Sequence, residues 1–164
     1  MSTERQLIEN IKRAWANVPY PGDENIFTSD SYDDEGITEY FSGTTWEGHS
    51  VEGLRDHSSA ISTFFTPAAY NYWLPAYLIA AIKDPDELSQ GIDCLISSLT
   101  PENRATRFSL EQRERLGLLT NKQKLILIEV IEYIVGQFED SSHPEWTKQE
   151  IAALSSLYAT TTPA

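Results

Sequence analysis

Glu129 and Glu132 stand three residues apart and interrupt a strongly apolar stretch, Leu125-Ile126-Leu127-Ile128-Glu129-Val130-Ile131-Glu132. Carboxylates at that spacing share one helix face, and a buried pair would have raised pKa values suited to holding a cation or to acid/base work. The plainer reading is a solvent stripe, or pairing with Lys122, Lys124 or Arg115. The histidines, His49, His57 and His143, form neither H-x-x-x-H nor H-E-x-x-H, and no Glu-x-x-His occurs, so no helix offers two imidazoles to one metal. His57 beside Asp56 has the pattern of an oriented general base, against the ordinary alternative of a histidine at a helix end bonded to a carbonyl. Gly48-His49-Ser50-Val51-Glu52-Gly53 approaches the G-x-S-x-G elbow but has Glu52 where glycine is required, which leaves Ser50 as a helix cap. Cys94 is the single cysteine; with no basic neighbour to support a thiolate, it reads as a small core residue. The P-loop and the dinucleotide-binding glycine motif are missing. The expectation is a non-enzymatic protein with no cofactor, no metal and no catalytic residues.

The strongest functional signal is charge. The chain has 25 acidic and 12 basic residues, net −13. Residues 23–56 carry ten of those carboxylates (Asp23, Glu24, Asp30, Asp33, Asp34, Glu35, Glu39, Glu47, Glu52, Asp56) against Arg55 alone. A reader of nucleic acid or of anionic lipid works through Lys and Arg, so both classes are disfavoured. Residues 30–36 lack the ligand order of an EF-hand loop. One reading is a solvated, solubilising face. The other is a docking surface for a basic protein, with Asp23, Glu24, Asp30, Asp33, Asp34, Glu35, Glu39 and Glu47 steering the partner and Tyr32, Tyr40, Phe41 and Trp46 as desolvated anchors. Six basic residues between 104 and 124 either pair with this acidic half or form a second surface.

These side chains need elements to carry them. At 164 residues the chain is one domain in size, with enough length to bury roughly 70% of its unfolded surface. Thr3 and Gln6 form a capping box for an amphipathic helix over 3–18, stopped by Pro19-Tyr20-Pro21-Gly22. A short helix fits within 31–41, and Ser50 caps another over 51–56. Thr66-Pro67 starts a nearly all-apolar helix to residue 83 that carries Pro75 inside it; a kink is expected, freeing the carbonyl of Asn71. Asp84-Pro85 starts the next helix, to about residue 100. Further capping boxes at Ser109/Gln112 and Thr120/Gln123 predict helices over 110–118 and 121–138, the latter as the buried centre of a bundle. A closing helix over 144–158 follows. The predicted fold is all-α: a single-domain bundle of about six to eight helices spanning 1–159, with a frayed tail at 160–164. Neither apolar stretch reaches the roughly 20 residues of a membrane span. The polar opening has no signal-like apolar core, so the expected location is the cytoplasm and the expected state a monomer or small homo-oligomer.

The run Phe64-Phe65-Thr66-Pro67-Ala68-Ala69-Tyr70-Asn71-Tyr72-Trp73-Leu74-Pro75-Ala76-Tyr77-Leu78 resembles the signature of a family of small bacterial proteins of uncharacterised function, with Trp73 in place of an expected tyrosine. Trp46 and the 108–112 stretch fit the same pattern. The resemblance implies a bacterial cytosolic protein and brings no catalytic residues. Small acidic helical bacterial proteins are similar in class to immunity proteins that neutralise secreted toxins, and the expected partner is then a basic toxin effector such as a nuclease. The alternatives are an enzyme or sensor for a small molecule, built on the aromatic helix with Glu129 and Glu132, and a housekeeping scaffold.

Overall fold

The computed structural model describes residues 3–27, 36–99 and 110–137. In order these form α1 (Glu4–Trp15), a 3-10 turn (Asp23–Asn25), α2 (Ile37–Phe41), a 3-10 turn (Trp46–Gly48), α3 (Val51–Asp56), a π turn (Ala60–Phe64), α4 (Pro67–Lys83), α5 (Pro85–Leu88), α6 (Gln90–Leu99), α7 (Leu110–Gly117) and α8 (Asn121–Gln137). The architecture is an all-α bundle. Among the described residues extended pairing is confined to one isolated bridge, Phe27 with Phe65, beside which the Thr66 hydroxyl donates to the Asn25 carbonyl at 2.6 Å. The closing helix, the tail and the Ser109 cap lie outside the described residues.

The helix starts follow the local chemistry of the chain. The Thr3 hydroxyl accepts the Gln6 amide while the Gln6 side chain accepts the Thr3 amide, a reciprocal capping box. Thr120 and Gln123 repeat it at the head of α8. Ser50 accepts from the Gly53 amide, and Thr66 from the Ala69 amide with Pro67 at the first helical position. The helix expected from Asp84 onward is split: Ser89, at φ 51°, separates α5 from α6. A left-handed serine has no glycine-like freedom, so this break is held by packing rather than by local preference. Helix α1 stops at Trp15, three residues short of the predicted end.

The bundle is organised around α4. From Pro67 to Ile82 it has no charged side chain, and it packs against α1, α3, α5, α6, α7 and α8. Tyr70, Trp73, Leu74, Tyr77 and Leu78 are fully buried, each such side chain stabilising by about 1.5–3 kcal/mol relative to exposure. Helix α8, expected to be the centre, instead presents Asn121, Lys122, Leu125, Glu129 and Glu132 to solvent and buries Ile126, Leu127, Val130, Ile131 and Ile134 against α1 and α4. The reason is its charges: Lys122, Glu129 and Glu132 demand an open side, whereas α4 has none to expose until Lys83.

Pro75 sits inside α4 and cannot donate to the carbonyl four residues back. That carbonyl, of Asn71, accepts the indole N–H of Trp15 at 3.0 Å. The indole N–H of the fully buried Trp15 thus has a partner, and the proline supplies the acceptor. Helix α1 is therefore bolted to α4 at the site of the missing helical bond. At the same end the Gln123 side chain donates to the Ala14 carbonyl at 2.9 Å, tying α8 to α1.

Candidate functional site

Six of the ten carboxylates in the acidic tract fall on described residues: Asp23, Glu24, Glu39, Glu47, Glu52 and Asp56. All six are exposed. Asp30, Asp33, Asp34, Glu35 and Tyr32 lie outside the described residues. Arg55 on α3 is surrounded, with its guanidinium 2.8 Å from Glu87, 3.3 Å from Asp56 and 3.9 Å from Glu52. Exposed pairs of this kind contribute at most about 1 kcal/mol each, so they organise the surface more than they stabilise it. Through the contact of α3 with α5 the acidic face continues onto Asp84, Asp86 and Glu87, all exposed. The charge run at residues 84–87 is visible in the sequence, but it reads there only as a helix start; its placement beside α3 is a tertiary fact.

The proposed aromatic anchors are placed differently. Phe41 is 0% and Trp46 is 7% exposed; both belong to the core. Phe41 packs edge-on to Phe65 and against Trp73, and Trp46 meets Tyr72 through its backbone. Neither ring offers a partner a free face, and the correction has a simple cause: apolar residues in a polar tract are what fastens that tract to the core. Tyr40 is half-buried. The exposed aromatic of this region is Tyr20, 38% accessible, whose ring stands edge-on to Tyr72 and Trp73. Its hydroxyl bonds Asp23 and accepts the Gly43 amide at 2.8 Å, so Asp23 is partly committed to holding this loop. Burial and the Asp23 contact raise the Tyr20 phenol.

Under the acidic face lies a polar cluster that the sequence does not reveal. His49 Nδ1 is 3.0 Å from the Tyr40 hydroxyl, and its Nε2 is 2.9 Å from Thr44 Oγ1. Thr44 in turn donates to the Phe41 carbonyl at 2.7 Å. Tyr40 stacks on His57 with ring centroids 3.9 Å apart. His57 Nδ1 bonds the Gly53 carbonyl at 2.8 Å, and the backbone carbonyl of His57 accepts the Tyr77 hydroxyl at 2.8 Å. His57 is thus oriented by a helix-end carbonyl and not by Asp56. Glycine at 53 lets the Tyr40 ring approach, since a Cβ there would lie 2.0 Å from the Tyr40 oxygen. Burial, then the neighbouring His57, lowers the His49 pKa; burial, then Asp56, raises that of Tyr40.

The other candidate chemistry is dispersed. Glu129 and Glu132 are both exposed, so they do not form a buried pair. Cys94 is half-buried against the core, its thiol pushed up by burial. Two charges of the basic stretch point inward: Lys124 is buried, and Arg115 reaches the Ser62 and Thr63 carbonyls of the π turn at 3.3 and 3.4 Å while lying over the Tyr70 ring. They are structural cations and do not belong to a second docking surface. Among the described residues no three His, Cys, Asp or Glu side chains converge to hold a metal ion, and no helix is long and apolar enough to cross a membrane.

No curated protein and no solved structure matches the chain. A family model matches residues 3–159, nearly the whole length, and the chain therefore belongs to that family, a family of unknown function (DUF6714).

Proposed function

We propose that this protein binds and blocks a basic protein through its acidic face, as an immunity protein does to a toxin, with a nuclease effector as the most concrete target. The observation that supports this reading is the exposure of all six described carboxylates of the 23–56 tract, with Arg55 the lone basic residue among them and already engaged. Such a face speeds encounter with a cationic partner and would occupy the surface that the partner uses for phosphate. Tyr20 provides the accessible aromatic contact in place of Phe41 and Trp46. The site acts by occlusion, the protein works in the cytoplasm, and no cofactor enters.

The reading is tested by capturing partners from lysate of the protein's own host, with wild-type protein and with two charge-reversed variants. One carries Lys at Asp33, Asp34 and Glu35; the other carries Lys at Glu39 and Glu47. A single stoichiometric basic partner, retained near physiological salt by wild type and lost by both variants, is the expected result. Equal retention by all three proteins would refute it.

A further inference from the structure

The cluster beneath the acidic face has a fixed hydrogen-bond direction. The Phe41 carbonyl can only accept, so the Thr44 hydroxyl gives its proton there and turns a lone pair to His49. Nε2 of His49 must then carry a hydrogen. Nδ1 is left bare in the neutral ring, and it takes the Tyr40 O–H. In the neutral ring each bond of the chain Tyr40–His49–Thr44–Phe41 pairs one donor with one acceptor. A second proton, on Nδ1, would face the phenol oxygen and displace the Tyr40 hydrogen from its acceptor.

We propose that this chain is a pH-operated latch: neutral His49 clamps the turn between α2 and α3 to the end of α2, and protonation of His49 releases it. The latch joins Tyr40 and Phe41 on α2 to the 44–49 turn, and Tyr40 is also wedged between the His57 ring and the bare Cα of Gly53 on α3. Releasing Tyr40 therefore loosens both contacts. The groups that meet an incoming charge are known for each neighbouring element among the described residues. On α3, His57 opposes it, whereas Asp56 would attract it; the Asp56 carboxylate is exposed and bound to Arg55 at 3.3 Å, which weakens its pull. Glu52 on α3 and Glu39 on α2 are exposed, as is Glu47 in the turn itself, while Asp23 and Tyr20 meet the neighbouring Gly43 amide at 3.2 and 2.8 Å. Tyr77 on α4 is committed to the His57 carbonyl. The half-buried position of His49 and the nearby His57 both favour the neutral ring. The inference stands whatever the acidic face binds.

Imidazole 15N NMR tests the first half of the proposal. At pH 7.5 His49 should be the Nε2–H tautomer and should titrate below the ordinary histidine value, and Tyr40→Phe should move its midpoint upward. Hydrogen exchange tests the second. After correction for intrinsic rates, amides of residues 40–57 should open more as pH falls from 7.5 to 5, with a slope approaching tenfold per pH unit, the limit for one proton. His49→Gln should flatten that slope. An Nδ1–H tautomer, an ordinary or raised midpoint, or an unchanged slope in His49→Gln would overturn the latch. Should His49→Gln fail to fold, the wild-type tautomer and midpoint decide the matter.

Discussion

The bond between Trp15 and the carbonyl stranded by Pro75 makes a quantitative test of how α1 is held to α4. Trp15→Phe keeps an aromatic ring in a fully buried site but removes the only N–H that the side chain gives to Asn71. A buried carbonyl left without a partner costs about 1–3 kcal/mol, and the smaller ring forfeits about 1–2 kcal/mol of burial and packing. The expected loss is therefore about 2–5 kcal/mol, read as a lower urea midpoint at unchanged slope. Pro75→Ala restores an amide at position 75. In wild type that amide meets a carbonyl already served by Trp15, so it adds little hydrogen bonding. In the Trp15→Phe background it rescues an orphan. Pro75→Ala should therefore be more favourable in the variant than in wild type by about 1–3 kcal/mol, while its own cavity and helix-propensity effects cancel in the cycle. Additivity within about 0.5 kcal/mol would refute the assignment of Trp15 as the replacement donor.

Two further outcomes follow from the same packing. Gly53→Ala would press a methyl group onto the Tyr40 hydroxyl, so it should destabilise by about 1–3 kcal/mol and shift the His49 NMR signals; wild-type stability and unshifted signals would contradict the close approach. Tyr70 is buried, bonded to Ser98 at 2.9 Å, and its phenol is pushed up to about 12 by burial. A raised folded value means stability present below the unfolded value near 10 and lost as pH climbs toward 12, on the order of 2–3 kcal/mol for this group. Tyr70→Phe should flatten the alkaline limb of a stability-against-pH curve, and an equally steep limb in the variant would exclude Tyr70 as its source.

The parts legible in the sequence were those that local chemistry decides. Thr3 with Gln6, Ser50, Thr66-Pro67 and Thr120 with Gln123 mark helix starts because capping joins residues three apart. The freed carbonyl of Asn71 was legible too, since a proline always strands the fourth residue back; that Trp15 would fill it was not. Position in the bundle was harder. Helices α4 and α8 are both rich in apolar residues, and only the interruptions by Lys122, Glu129 and Glu132 separate an edge helix from a central one. The exposure of the six described carboxylates of the acidic tract followed from their charge, whereas the fate of Phe41 and Trp46 did not, because an aromatic in a polar segment serves a core or a partner equally well by composition. The His49 chain was hidden for a similar reason. It depends on turns bringing residues 40, 44 and 49 together, and no spacing rule for catalysis or metal binding covers that set.

The claim that the acidic face is a binding surface is met most directly by measuring the affinity of the captured partner for wild-type protein and for the Glu39/Glu47 charge-reversed variant across a salt series. Exposed carboxylates that make the interface predict weaker binding as salt rises, a further large loss on charge reversal, and an unchanged melting temperature in the variant. Affinity that is indifferent both to salt and to the reversal would contradict it, and would leave the acidic face a solvated surface.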